Sequence, residues 1–212
     1  MVLEVYKLKV LIYLNGNRRS SDFYLEEYKR EYRKGDKVIC ANGGFDFAAS
    51  IGIKPDVVVG DLDSKKVAIS KGIKLIKYPA EKNFSDFELA LEYSRRLNPD
   101  KIVVYGALGG RKDHEIINLI ILAYANIPMV FVEKEIEVYN VRNSLTILDS
   151  KGKTCSLVSL SENTIIRNLE GFKYRMANEL LNPSSRGLSN IITESTAKID
   201  LEGRAVLFFL NK

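Results

Sequence analysis

Tryptophan and glutamine are absent from these 212 residues, histidine occurs once, and cysteine occurs only twice. Each scarcity excludes something. Cys40 and Cys155 stand far apart inside apolar runs, which rules out a disulfide framework and a zinc site built on paired cysteines. They read as reduced core residues of a cytoplasmic protein. No long uninterrupted apolar run exists at the start: MVLEVYKLKVLIYLNG is broken by Glu4, Lys7 and Lys9 and shows no small-residue cleavage site. Neither a signal peptide nor a membrane span is expected. A strongly basic face is missing too. The net charge of +5 is spread with Lys and Glu interleaved, and the densest basic cluster is a short one in the segment to Lys34. That distribution favours small anionic ligands over nucleic acid. The lack of Gln and Trp beside plentiful Lys and Glu is a composition shared with heat-adapted proteins. No internal repeat or low-complexity linker is present.

What is present is long enough for one large domain or two modest ones, stable without cross-links. Over the first two-thirds, short apolar runs alternate with helical patterns. Residues 9–14, 37–41, 56–59, 74–78, 101–107 and 129–132 read as strands. This alternation predicts an α/β fold of Rossmann-like, three-layer type: a mostly parallel sheet with helices on both faces, spanning residues 1–134. From about Glu135 the chain changes to short β-rich runs (EVYNV, SLTILDS, TCSLVSL, NTIIRNL, SNIITES, AKIDL, RAVLFFL) with turn signals between them. Residues 135–212 are therefore read as a smaller all-β sandwich or barrel.

Three strands empty into chemically informative loops, and in open α/β sheets ligands sit beyond the carboxyl ends of strands. The run to Ala41 leads into Asn42-Gly43-Gly44 and a short helical pattern. Paired glycines let a backbone approach an anion closely, although taken alone they read first as a plain tight turn. VVVGDLDS follows, with Asp61 and Asp63 on one side of an extended segment and Leu62 on the other. Two converging carboxylates suit Mg²⁺ completed by waters and phosphates; alternatively Asp63 or Ser64 caps a helix from Lys65. The segment KNFSDFEL holds a capping-box signature, Ser85 with Glu88, a staple pair in Phe84 and Leu89, and Asp86 at the first helical position. The run to Ala107 leads into Leu108-Gly109-Gly110-Arg111-Lys112-Asp113-His114, then an apolar helix interrupted by Asn118. Gly-Gly, Arg111 and a helix start read as a phosphate cradle, and a buried Asn118 needs a bonding partner. Together these loops suit nucleotide-dependent phosphoryl or pyrophosphoryl transfer. Neither a P-loop motif nor a dinucleotide G-x-G-x-x-G is present.

In NGGFDFAASIGIKPDVVVGDLDS, KNFSDFELAL, GALGGRKDHEIINLIIL and the later GFKY and GLSN, the chain resembles the thiamine pyrophosphokinase (thiamin diphosphokinase) family. The likeness covers residues 40–125 well and 150–212 more loosely. It implies transfer of the pyrophosphoryl group of ATP to thiamine with Mg²⁺, giving thiamine diphosphate and AMP. It implies a catalytic and metal set of Asp61, Asp63 and Asp86, joined by Arg111. Asn42, Gly43, Gly44, Lys82, Ser85, Arg111, Asp113, His114 and Asn118 fall on the nucleotide side, and Ser189 and Asn190 on thiamine. A cytoplasmic homodimer with thiamine at the subunit interface is implied as well. The chain departs from the family pattern at Asn42 and Asn83, where acids are usual. The same α/β loops would serve a pyrophosphokinase acting on another heterocyclic alcohol, such as a hydroxymethyl pterin, or a nucleotide- or thiamine-binding protein with weakened catalysis.

Overall fold

The computed structural model describes residues 6–16, 20–61, 71–79, 81 and 83–210. Two compact units divide it, Tyr6–Asn118 with Ile127–Lys134, and Leu119–Asn126 with the chain from Glu135.

The first unit is built on six parallel strands: β1 (Lys9–Tyr13), β2 (Lys37–Ala41), β3 (Val57–Gly60), β4 (Lys74–Lys77), β5 (Lys101–Tyr105) and β6 (Met129–Glu133). Their order across the sheet is β6-β5-β1-β2-β3-β4. KVLIY, VVVG and MVFVE are buried at every position, because a strand in a covered parallel sheet has no polar face. KLIK of β4 is mostly exposed, as suits its place at the sheet edge. The helices are α1 (Ser21–Glu31), α2 (Gly44–Ser50), α3 (Asp86–Arg95) and α4 (Lys112–Tyr124). The chain winds outward from β1 to β4, then returns to place β5 on the other side of β1. The order therefore reverses between β1 and β5, where a doubly wound sheet opens a crevice. The strands read from the sequence match to within a residue or two. The helix anticipated from Lys65 lies outside the described residues.

The second unit is antiparallel. One sheet pairs β7 (Ile136–Val141) with β14 (Ala205–Leu210), β14 with β9 (Thr154–Ser159), and β9 with β12 (Asn190–Ile191). The other has the order β11-β10-β13-β8, formed by β8 (Ser144–Leu148), β10 (Ile165–Glu170), β11 (Ala177–Leu180) and β13 (Thr196–Glu202). Alternation in TAKIDLE buries Ala197, Ile199 and Leu201, which join Val141, Leu157, Ile166, Leu169 and Leu207 in one core. The fold is thus the α/β unit plus β sandwich anticipated. Two local readings differ. β11, exposed at all four positions, carries no apolar signal and exists through its pairing with β10. SNIITES contributes only a two-residue strand, because Asn190 is turned inward to bond a neighbouring loop. Among the described residues no helix is long and apolar enough to cross a membrane.

Candidate functional site at the sheet switch point

Loops that leave β1 and β5 meet backbone to backbone. Gly106 adopts φ 71°, and a Cβ there would lie 2.7 Å from the Leu14 carbonyl oxygen; one on Gly16 would lie 2.2 Å from that of Gly106. Only glycine permits this approach. The loops border a cleft of about 330 Å³. Asn15 and Gly16 line it from the end of β1, Asn42 and Gly43 from β2, Ser85 and Asp86 from the start of α3, and Ala107, Gly110, Arg111, His114 and Asn118 from the β5 side.

Asn42 organises the acidic side. Its φ of 45° is a left-handed conformation that asparagine tolerates better than most residues. Its side-chain nitrogen donates to Asp61 Oδ1 at 3.0 Å and to Asp86 Oδ2 at 3.1 Å. One amide thus ties together acids separated by 25 positions in the sequence. Asp86 is delivered by the capping box foreseen for α3: Ser85 Oγ accepts from the Glu88 amide at 3.2 Å, and Glu88 Oε2 accepts from the Ser85 amide at 2.8 Å. The staple is not a tight one, since Phe84 stays 56% exposed. Gly60, at φ 143°, makes room, because a Cβ there would approach Asn42 Cβ to 3.1 Å and Asp86 Oδ1 to 3.3 Å. Asp63 and Lys82 lie outside the described residues. Among the described residues no three acidic, histidine or cysteine side chains gather as a metal cage. The donor set that does converge, two half-buried carboxylates, offers hard oxygens of the kind a divalent cation takes together with water and phosphate.

Packing requires Gly44 and leaves room at Gly43 only if the Asn15 side chain moves. A Cβ on Gly44 would lie 2.0 Å from the Tyr13 carbonyl oxygen, and one on Gly43 would lie 2.7 Å from the Asn15 side chain. α2 has only seven residues, and Gly43 is already helical at its start.

On the opposite wall, Arg111 and Asp113 form an exposed two-point pair, Nε to Oδ1 at 3.1 Å and Nη2 to Oδ2 at 2.5 Å. Hydrogen bonding by that guanidinium pulls the Asp113 carboxyl down to about 2, and the carboxylate in turn raises the Arg111 pKa. Asp113 Oδ1 also accepts from the His114 amide at 3.0 Å, and His114 is exposed. Asn118, 7% exposed, finds the partner its setting demands: Nδ2 donates to the Ala107 carbonyl at 2.8 Å.

Two carboxylates escaped the sequence reading. Glu115 accepts from the Gly109 amide at 2.6 Å and pairs with Lys112 at 2.8 Å; the Lys112 ammonium and the Gly109 and Gly110 amides hold its carboxyl below the usual range. The glycine amides read as a phosphate cradle are therefore already engaged by the chain's own anion. Glu133, at the end of β6 and 6% exposed, accepts from the Tyr24 hydroxyl and from the Leu108 amide at 3.2 Å. Burial pushes its carboxyl up to about 7. An acid closing an all-apolar strand, as in MVFVE, is the signal that could have found it, since VVVGD has the same form.

Ser189 and Asn190 belong to the second unit and are not among the residues lining this cleft. Ser189 is exposed at φ 54°, its amide donating to Ser156 Oγ at 3.0 Å. Asn190 is buried. Its Oδ1 accepts from the Tyr174 and Ile191 amides, each at 2.9 Å, while Nδ2 donates to the Tyr174 carbonyl at 2.8 Å. That amide is occupied in holding the loop that displays the half-exposed Tyr174 ring.

Two family models match this chain: "Thiamin pyrophosphokinase, catalytic domain" over residues 28–133, and "Thiamin pyrophosphokinase, vitamin B1 binding domain" over residues 139–205. Among curated proteins, the thiamine pyrophosphokinase of Bacillus subtilis (strain 168) is 31% identical over 137 residues, covering 60% of this chain and 64% of that protein. Thiamine pyrophosphokinase 1 of Oryza sativa subsp. japonica is 26% identical over 166 residues, 69% of this chain and 62% of the relative. The aligned part thus spans a little under two-thirds of these relatives. A crystal structure of the Bacillus subtilis thiamine pyrophosphokinase superposes with a TM-score of 0.80 at 21% identity, covering 96% of this chain and 98% of that one, a likeness of fold.

Proposed function

The chain belongs to the thiamin pyrophosphokinase family, and from that premise we propose that it transfers the pyrophosphoryl group of ATP to the hydroxyl of thiamine. The observation that carries the proposal is the coincidence of the catalytic-domain match with a switch-point cleft lined by Asn42 and Asp86, where the Asn42 amide bonds both Asp86 and Asp61. In the reaction the thiamine hydroxyl oxygen forms a bond to the β-phosphorus. The bridge between the α- and β-phosphates breaks, AMP leaves with the bridging oxygen, and the hydroxyl proton passes to water or a neighbouring carboxylate. Such a displacement needs alignment and charge neutralisation more than covalent help.

Asp61 and Asp86, with Asp63, would hold Mg²⁺, which when bound neutralises charge on the phosphate oxygens. Every other contribution is the chain's own. Asn42 keeps the two carboxylates converged, Ser85 fixes where Asp86 emerges, and Asn118 sets the Gly106–Gly110 loop by its bond to Ala107. Arg111 stands at the mouth of the cleft, where its charge would meet the triphosphate once exchanged from Asp113. Gly43, Gly44, Lys82, Asp113 and His114 complete the nucleotide side in this reading, and Ser189 and Asn190 the thiamine side. In the latter pair Asn190 serves by positioning Tyr174. A homodimer acting in the cytoplasm is part of the same proposal, and the buried free thiols of Cys40 and Cys155 agree with a reducing compartment.

Incubating the pure chain with ATP, Mg²⁺ and thiamine tests the activity. Thiamine diphosphate should form with one equivalent of AMP. ADP in place of AMP would make the chain a simple kinase and sink the proposal. No product with retained thiamine binding would replace it with a binding protein. Light scattering decides the dimer: a monomer at micromolar concentration removes it.

A further inference from the structure

The last residue of β6 is an acid where the sheet has no solvent. A carboxylate 6% exposed is costly unless its lone pairs are met, and those of Glu133 are met by one short loop and one tyrosine hydroxyl. The Leu108 amide donates to Oε1 at 3.2 Å, the amides of Ala107 and Gly106 also act on the carboxylate, and the Tyr24 hydroxyl from α1 donates to Oε2. From the other side Asn118 takes the Ala107 carbonyl at 2.8 Å. Gly106 has no freedom to retreat, since its backbone already abuts Leu14. The amide edge of the Gly106–Leu108 turn is thus held by Glu133 and its carbonyl edge by Asn118, and Gly106, Ala107 and Gly110 form part of the cleft wall.

We propose that Glu133 is a positioning residue of the nucleotide site, its carboxylate gripping the amides of the Gly106–Leu108 turn so that the loop wall is set for the triphosphate. The inference rests on the ATP reading above. Glu133 does not touch the cleft; it acts through the loop. A purely structural need would be met more cheaply by a neutral side chain, because burial raises this carboxyl to about 7 and a buried charge weakens the fold wherever it is ionised. Among the described residues the ionisable side chain bonded to it is Tyr24 on α1, and the loop offers backbone amides, so protonation of Glu133 is the event that loosens the grip.

The test is calorimetric binding of ATP with Mg²⁺, and separately of thiamine, to the full chain carrying Glu133→Leu or Glu133→Gln. Glu133→Leu leaves the turn amides without an acceptor and should weaken ATP binding about tenfold or more, with thiamine binding within about twofold. Glu133→Gln keeps one acceptor and should be only about fivefold weaker at pH 8, the difference between a charged and a neutral hydrogen bond. Its ATP affinity should equal that of the wild type at pH 6. The Gln variant also reports the titration of the nucleotide itself, so the difference between the two pH profiles isolates Glu133. If Glu133→Leu does not fold, the wild-type and Glu133→Gln profiles decide alone, and parallel profiles overturn the inference. So does an ATP affinity of a folded Glu133→Leu within twofold of wild type, or an equal loss of ATP and thiamine binding. A wild-type chain that binds no ATP overturns the nucleotide reading and this inference with it; normal ATP binding by both overturns this inference alone.

Discussion

Asn42→Asp restores the acid that the resemblance leads one to expect, and its consequence can be worked from two distances. Asp61 Oδ1 and Asp86 Oδ2 lie 3.0 and 3.1 Å from one amide nitrogen, so they are at most about 6 Å apart. Two unit charges at that spacing repel by about 1–3 kcal/mol between water-like and protein-surface dielectrics. In the native chain the amide offsets this with a hydrogen bond to each charge. An aspartate at 42 removes both bonds and sets a third negative charge about 3 Å from each acid. Even after discounting for solvent, since all three side chains are half-buried, the metal-free fold should lose about 3 kcal/mol. For a chain of this length that is a fall in Tm of about 6–12 °C. A divalent cation reverses the sign of the problem, because three carboxylates hold it better than two. Thermal melts of both proteins across a MgCl2 series should show Asn42→Asp starting lower and gaining more, with Mg²⁺ bound about tenfold more tightly by calorimetry. If Asn42→Asp melts at the wild-type temperature without metal, Asn42 is not what holds the carboxylates; if Mg²⁺ shifts both proteins equally, position 42 does not face a cation site.

Gly44→Ala sets a Cβ 2.0 Å from the Tyr13 carbonyl oxygen on a central strand, so it should cost about 3 kcal/mol or more by denaturant melt; a wild-type midpoint would show the β1–α2 packing to be looser than described. Asn190→Ala strands the Tyr174 amide and carbonyl and the Ile191 amide, an expected loss of about 2–4 kcal/mol, while Asn190→Asp, which keeps the acceptor, should lose less. Glu133 gives a pH signature of its own. Its carboxyl is raised from 4.5 to about 7, so the folded state binds more protons than the unfolded one between those values, and this group's contribution to stability falls as pH rises through that window. Chemical melts at pH 5 and pH 8 should show a decline of up to about 3 kcal/mol from this group, absent in Glu133→Gln. An unchanged slope in the variant refutes the assignment.

Much of this protein lies in its local pattern. KVLIY, KVICA, VVVG, KIVVY and MVFVE are strands because continuous β-branched and apolar runs can be buried on both faces, and Ser85 with Glu88 begins α3 because the two side chains satisfy orphan amides within one turn. Asn118 announced itself by being polar in an apolar helix. These are interactions between near neighbours, and periodicity encodes them. What the tertiary structure decided is everything that depends on strand order. The placement of β5 beside β1 creates the switch point and brings the Gly106 and Gly16 backbones into contact, while the pairing of β2 with β3, with α3 packed on both, lets one amide at position 42 bond acids at 61 and 86. Whether Gly109 and Gly110 face a ligand or Glu115, and whether the acid ending β6 meets water or the underside of a loop, turns on which chain segment fills the space beyond each side chain. A sequence states what a residue can bond to; only the packed fold states which partner reaches it first.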